Sequence, residues 1–342
     1  MKKLALTITI GLVILTSLAC VVTTSQTPTS GQNGTNTPHT ATTPIHTALP
    51  RPSATTPLIP TITIDHGLGH IVAKSCKTIA SLGDGMDCGI SIMNADGSDM
   101  RQLTYGEGDT QPSRSPDGTR VVFISSKRDG NYEIYLIHTD GSGFARLTNT
   151  PGMELQPSWS PDGNQIIYIS SIGLTVMGAD GSNPHSIANP GGVFPHWSPD
   201  GRQILSLTGD MSNILTIMDA DGTHVRVIHT EPLYEASSPV MSPDGSKIAF
   251  LTQKNNIDSL VEVDVIDIDG KNQRSLTDGY QLTYGGVSWS PDGQQLIFTM
   301  AGDGKRSQDW PPAQLYIVNA DGSGLHKLDT SCVVCVWADW GH

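Results

Sequence analysis

The chain has 342 residues, of which 37% are hydrophobic and only 15% charged, with 36 glycines and 22 prolines. That mix fits many turns and short strands beside a stretch too polar to build a core. A formal net charge of −13 repels phosphate backbones and so argues against nucleic acid as a partner, and solubility of an exported protein is the simplest use of the acidity.

The first element is an export signal. Lys2 and Lys3 precede an apolar run from Leu4 to Leu18, too short for a membrane span. The run ends in Ser17-Leu18-Ala19-Cys20, a small residue followed by cysteine. This end resembles the lipobox of bacterial lipoproteins. The resemblance implies removal of residues 1–19 and thioether lipidation of Cys20, anchoring the protein on the extracytoplasmic side of a membrane. An ordinary secretory signal with an incidental cysteine is the competing reading. Residues 20–61 are rich in Thr, Ser and Pro. They cannot bury enough apolar surface to offset the entropy of ordering, so this segment reads as a disordered tether.

Residues 62–342 are periodic. Ser-Pro-Asp-Gly recurs five times, beginning at Ser115, Ser160, Ser198, Ser242 and Ser290. Between these, an apolar run ending in Asp-Gly recurs six times, with its aspartate at Asp96, Asp140, Asp180, Asp221, Asp269 and Asp321. Each unit parses as four strands, a to d. In the unit from Gln111, strand a ends at Ser115, strand b is RVVFIS from Arg120, strand c runs from Tyr132 to His138, and strand d ends at Leu147-Thr148. Pro presets φ in the a–b turn, Asp caps its own backbone, and Gly takes the left-handed position. The apolar b strands suit sheets covered on both faces.

This repeat resembles the β-propeller of the TolB family over nearly all of residues 65–342. The resemblance implies an all-β, six-bladed propeller of four-stranded antiparallel blades. The first unit lacks its own strand a, beginning with strand b at Gly69–Ser75. The C-terminal Val336-Trp337-Ala338-Asp339-Trp340 stands where that strand belongs, with Trp340 matching Trp159, Trp197 and Trp289. The C-terminal strand should therefore complete blade 1 and cover its open edge.

Four further cysteines gather at that closure. Cys76 and Cys88 flank the b–c loop of blade 1, and Cys332 and Cys335 lie in the connection leading into its strand a. Pairing Cys76 with Cys88 and Cys332 with Cys335 is favoured; crossed pairings and a four-thiolate metal site stay open. The Asp-Gly carboxylates read as turn chemistry, since the spacing and bidentate Glu of a calcium loop are missing, and no metal or cofactor is expected.

Binding is expected at the opposite rim, where the loops vary. The b–c loop from Ala301 to Ala313 carries Lys305, Arg306 and Trp310, a composition suited to a hot spot, although Trp310 packing down the loop is an equal reading. Gln111, Glu154, Gln156, His196, Glu235, Tyr284 and Asp339, near the strand a segments, should line a polar, partly acidic channel mouth able to hold a cation, a basic peptide or a sugar. A water-filled channel is the competing reading. No nucleophile elbow, HExxH pair or phosphate-cradling loop occurs, so no catalytic residue is assigned, and His224 and His229 are not expected to form a ligand pair. The expected function is a monomeric, non-catalytic envelope module that recognises a protein or glycan. An envelope hydrolase or lyase using the channel mouth is the alternative.

Overall fold

A computed structural model describes residues 69–79, 85–106, 108–187, 192–209, 214–229, 234–253, 261–277, 282–301 and 313–341. Every regular element among them is a strand, and the strands form six four-stranded antiparallel sheets. Blade 1 contains β1 (His70–Ile79), β2 (Gly85–Asn94) and β3 (Arg101–Gln102). Blade 2 contains β4 (Asp109–Arg114), β5 (Arg120–Ser125), β6 (Glu133–His138) and β7 (Ala145–Arg146). Blade 3 contains β8 (Leu155–Trp159), β9 (Gln165–Ser170), β10 (Gly173–Gly178) and β11 (His185–Ser186). Blade 4 contains β12 (Val193–Trp197), β13 (Gln203–Thr208), β14 (Ile214–Asp219) and β15 (Arg226–His229). Blade 5 contains β16 (Tyr234–Met241), β17 (Lys247–Gln253), β18 (Val261–Asp267) and β19 (Arg274–Ser275). Blade 6 contains β20 (Leu282–Trp289), β21 (Gln295–Ala301), β22 (Ala313–Asn319) and β23 (His326–Lys327).

The last strand, β24 (Val334–Asp339), pairs with β1 rather than extending blade 6. Its register sets Val72 against Asp339 and Cys76 against Val334. The innermost strands β4, β8, β12, β16, β20 and β24 touch in a closed cycle, so the six sheets form a ring. Trp340 is fully buried among Ile71, Ala73, Met93, Ile297, Leu315 and Cys335. By area, burying an indole contributes roughly 4–5 kcal/mol at most. The closure expected from the missing strand a is therefore present and well packed.

The core is the set of seams between blades. Strands b and c are buried almost throughout, as in β5 and β6, because each sheet is covered by a neighbour on both faces. The seams are also keyed by hydrogen bonds. The Trp159 indole N–H donates to the Ser113 carbonyl of blade 2 at 3.1 Å, and the Trp289 indole to the Val240 carbonyl of blade 5 at 3.3 Å.

Both favoured disulfides are present, Cys76–Cys88 and Cys332–Cys335. The first differs from the expected loop clip. Strand β1 runs past Ser75 to Ile79, so Cys76 and Cys88 face each other inside the ladder, with three more residue pairs beyond them. The b–c hairpin of blade 1 keeps its pairing for longer than the sequence pattern suggested.

Candidate functional site

The two rims of the ring are built differently. One carries the a–b and c–d turns, and its Ser-Pro-Asp-Gly turns repeat a single hydrogen-bond pattern. In blade 3 the Gly163 N–H donates to the Ser160 carbonyl at 2.9 Å, closing the turn. The Ser160 hydroxyl donates to Asp162 at 2.6 Å and accepts the Gln165 N–H at 2.9 Å, while the Asn164 N–H donates to Asp162 at 3.0 Å. Gly163 has a φ of +69°, and the matching glycines of the other four turns lie between +68° and +71°. The serine hydroxyl holds Asp162, Asp200 and Asp244 below the usual carboxylate range, and the turn N–H lowers them further. These aspartates are spent on the turns, as expected from the sequence.

The channel runs along the axis. Three consecutive residues from each innermost strand line it, among them Gln111, Gln156, His196 and Asp339, around a cavity of about 110 Å³. At the first lining position the backbone turns left-handed in five blades, at Gln111, Gln156, Phe194, Ser238 and Trp337, with φ between +50° and +56°. Such values are rare for residues with side chains and strained for Phe and Trp. Each marks a bulge that the ladder skips. The Gln111 Oε1 accepts the Gln156 N–H at 2.9 Å, and the Gln156 Oε1 accepts the Phe194 N–H at 2.6 Å. Asp339 accepts from the Arg114 N–H at 2.8 Å, the Ser288 hydroxyl at 3.1 Å and the Gly341 N–H at 3.1 Å. It ties blades 1, 2 and 6 together.

The other rim carries the b–c hairpins and the d–a connections, and there the blades differ. Asp109, fully buried at the start of β4, takes a bidentate pair from Arg128, with Nη2 at 2.6 Å and Nε at 3.1 Å. The Arg128 guanidinium also lies 4.7 Å from the Phe144 ring centre, a cation–π contact. The Tyr135 hydroxyl donates to Asp129. Burial and the Asp129 carboxylate push that phenol up to about 12.

Between blades 2 and 3, two buried glutamates meet. Glu133 opens β6 and accepts from Arg146 Nη2 at 2.8 Å, from the Thr148 hydroxyl at 2.7 Å and from the Thr150 N–H at 3.1 Å. Glu154 precedes β8, and its Oε1 accepts the Thr150 hydroxyl at 2.5 Å. Burial pushes Glu154 up to about 7; the Thr150 hydroxyl opposes this, and the Glu133 carboxylate adds to it. Tyr168 is raised to about 12 by burial and by these two carboxylates. The same rim exposes apolar side chains: Tyr105 (72% exposed), Met153 and Val333 on d–a connections, and Ile172 (71%) on the β9–β10 hairpin.

Of the channel candidates, Gln111, Gln156, His196 and Asp339 do line the axis. Glu154 does not: it is buried in the seam between blades 2 and 3, because its side chain packs against Glu133 and Thr150. Glu235 and Tyr284 lie on β16 and β20, and their side chains fall outside the described residues, as do Cys20, Lys305, Arg306 and Trp310. His224 stands before β15 and pairs with Asp219 at 2.8 Å, away from His229 at the strand's end. Among the described residues, no group of three or more His, Cys, Asp or Glu could hold a metal ion. Sequence reasoning missed the Asp109–Arg128 and Glu133–Arg146 pairs. The one available signal was position: Asp109 and Glu154 both stand six residues before the serine of their blade's Ser-Pro-Asp-Gly turn.

A sequence model described as the TolB beta propeller domain matches residues 75–173, 115–280 and 169–340. Solved structures share the fold. TolB from Acinetobacter baumannii is 20% identical with a TM-score of 0.66, over 79% of this chain and 66% of that one. A putative TolB from Agrobacterium tumefaciens is 21% identical with a TM-score of 0.52, over 66% of this chain and 96% of that one. An oligogalacturonate lyase in complex with manganese is 15% identical with a TM-score of 0.51, over 76% of this chain and 78% of that one. At such identities the likeness is one of fold, and the chain spans just under two thirds of the Acinetobacter structure.

Proposed function

The chain belongs to the TolB β-propeller family, and from that premise we propose that it is a non-catalytic binding propeller of the cell envelope. It is exported, held to a membrane through lipidated Cys20 and the 20–61 tether, and recognises a protein or glycan with its loop rim. The two disulfides fit an oxidising, extracytoplasmic compartment. The observation that carries the reading is the contrast on that rim between exposed Tyr105, Met153 and Ile172 and the buried carboxylates of Asp109 and Glu133, each held by an arginine. Exposed apolar groups on a stiffly braced platform keep the ordering cost of association low.

The test is retention on envelope extracts after cross-linking. Tyr105→Ser/Ile172→Ser should lose the cross-linked partner, while Ser160→Ala on the far rim should keep it. Equal retention by all three proteins would remove the loop rim from the function.

A hydrolase or lyase is the competing reading, favoured by one feature: Glu154 titrates near neutrality, the range a general acid needs. Burial of Glu154 away from the channel lining weighs against its meeting a substrate. Turnover of envelope glycans that disappears in Glu154→Gln would establish the enzyme and displace the binding module.

A further inference from the structure

The d–a connection that sets Met153 on the loop rim is tied down by two carboxylates sharing one threonine. Thr150 gives its N–H to Glu133 at 3.1 Å and its hydroxyl to Glu154 at 2.5 Å, and that hydroxyl accepts the Gly152 N–H at 3.2 Å. The two acids are served unequally. Glu133 also accepts from Arg146 Nη2 at 2.8 Å and from the Thr148 hydroxyl at 2.7 Å. Glu154 is 1% exposed, and its Oε2 is buried without a hydrogen-bond partner among the described residues.

Burying a carboxylate oxygen without a donor is costly, whereas a protonated oxygen is itself a donor. Glu154 Oε1 is engaged as an acceptor, so the proton sits on Oε2, and the neighbouring Glu133 carboxylate receives it. Arg146 stands against Glu133, which places the single proton of the pair on Glu154. Among the described residues, the titratable groups facing this carboxyl are Glu133 from β6, Arg146 from β7 and Tyr168 from β9. Arg146 is already divided among Glu133, Asp129 and Asn149. The Tyr168 phenol, raised to about 12, stays neutral. A second negative charge would therefore be buried beside Glu133 with only a shared arginine to answer it. The connection itself is the part that can give way, since Asn149, Thr150, Pro151 and Met153 are all exposed.

We propose that Glu133 and Glu154 form a proton-operated latch on the loop rim: with one proton between the two carboxyls, residues 149–154 are held down and Met153 is presented for binding, and when that proton passes to water, Glu154 turns outwards and the connection is released. The inference rests on the reading of the loop rim as the binding surface and names how that surface is regulated. The latched form holds the proton more tightly, so it prevails in mild acid and fades as pH rises through about 7. Between pH 6 and pH 8 the latched share falls from roughly nine tenths to roughly one tenth, and the apparent affinity for a rim partner drops about ninefold.

The experiment labels the methionine methyl groups of the full chain with carbon-13 and follows them from pH 5 to pH 8.5, beside retention of the cross-linked envelope partner at pH 6 and pH 8. The Met153 methyl should move between two positions with a midpoint near 7, while Met177, buried in β10 of the same blade, stays in place. Glu154→Gln should hold Met153 at its low-pH position throughout and retain the partner equally at both pH values, where the wild type loses about ninefold. A Met153 methyl that ignores pH, or that moves only together with Met177, would overturn the latch, and the wild-type protein decides this even if Glu154→Gln does not fold. A titrating Met153 with a partner held equally at both pH values would overturn the regulation. A titrating Met153 with no partner held at either would uphold the latch and remove the loop-rim reading instead.

Discussion

On the turn rim, Asp162 is partly exposed and receives a hydroxyl and a main-chain N–H from its own turn. On the loop rim, Glu154 is buried beside another carboxylate that already has an arginine. The same functional group responds in opposite directions, Asp162 downwards and Glu154 upwards to about 7. The difference follows from who supplies the partners. A turn brings its donors along in five consecutive residues, so it works in any blade. A buried pair at a seam draws on two blades at once, so it depends on which residues those blades happen to place there.

The largest effect should come from removing the cation of the buried set. Arg146 donates to Glu133, to the Asn149 side chain and to the Thr148 carbonyl, and pairs with Asp129. Arg146→Ala leaves the buried Glu133 carboxylate without its counter-charge and should lower the urea midpoint at pH 7 more than any other single change named here. Arg146→Lys should recover only part of this, since an ammonium cannot span the same acceptors. A midpoint shift no larger than that of Ser160→Ala would place the pair among ordinary surface ion pairs and dissolve the contrast between the rims.

A smaller effect has a definite sign. The folded Glu154 carboxyl titrates above its ordinary value of 4.5, at about 7. Its proton is therefore held more tightly by the folded chain. The stability this gives is fully present below pH 4.5 and is lost as pH rises through about 7. Glu154→Gln keeps the shape and removes the proton, so its stability should stay level from pH 5 to pH 8 while that of the wild type falls. Parallel profiles for the two proteins would show that Glu154 is ordinarily ionised.

The two rims also differ in how far the sequence revealed them. The five Ser-Pro-Asp-Gly turns, the blade number and the use of β24 as the missing strand a were legible because each rests on local chemistry repeated in phase. The neighbourhood of Glu154 was not. Its position near strand a suggested the channel, but whether a side chain there turns to the axis or into the seam depends on Thr150 and Glu133, one in the preceding connection and one in the blade before. Asp339 was legible as a channel residue and not as the tie between blades 1, 2 and 6, since Arg114 and Ser288 are 225 and 51 residues away from it in the chain. The left-handed ring residues left no trace in composition, because Gln, Phe, Ser and Trp carry no signal for positive φ.

The smallest single effect tests the turn rim, and it turns on additivity. The Ser160 hydroxyl is nearly buried and serves as donor to Asp162 and acceptor from Gln165. Ser160→Ala removes both bonds but leaves the Gly163 closure of the turn intact, so the loss should be about 1 kcal/mol. Ser242 makes the same contacts two blades away with no partner in common. A Ser160→Ala/Ser242→Ala protein should therefore lose the sum of the two single effects to within about 0.5 kcal/mol. Arg146→Ala with Glu154→Gln should fall well short of additivity, because a neutral Glu154 partner relieves the strain that the missing arginine creates at Glu133. If the serine pair couples as strongly as the Arg146–Glu154 pair, the turns are not independent units, and the division of the ring into a modular rim and a cooperative one fails.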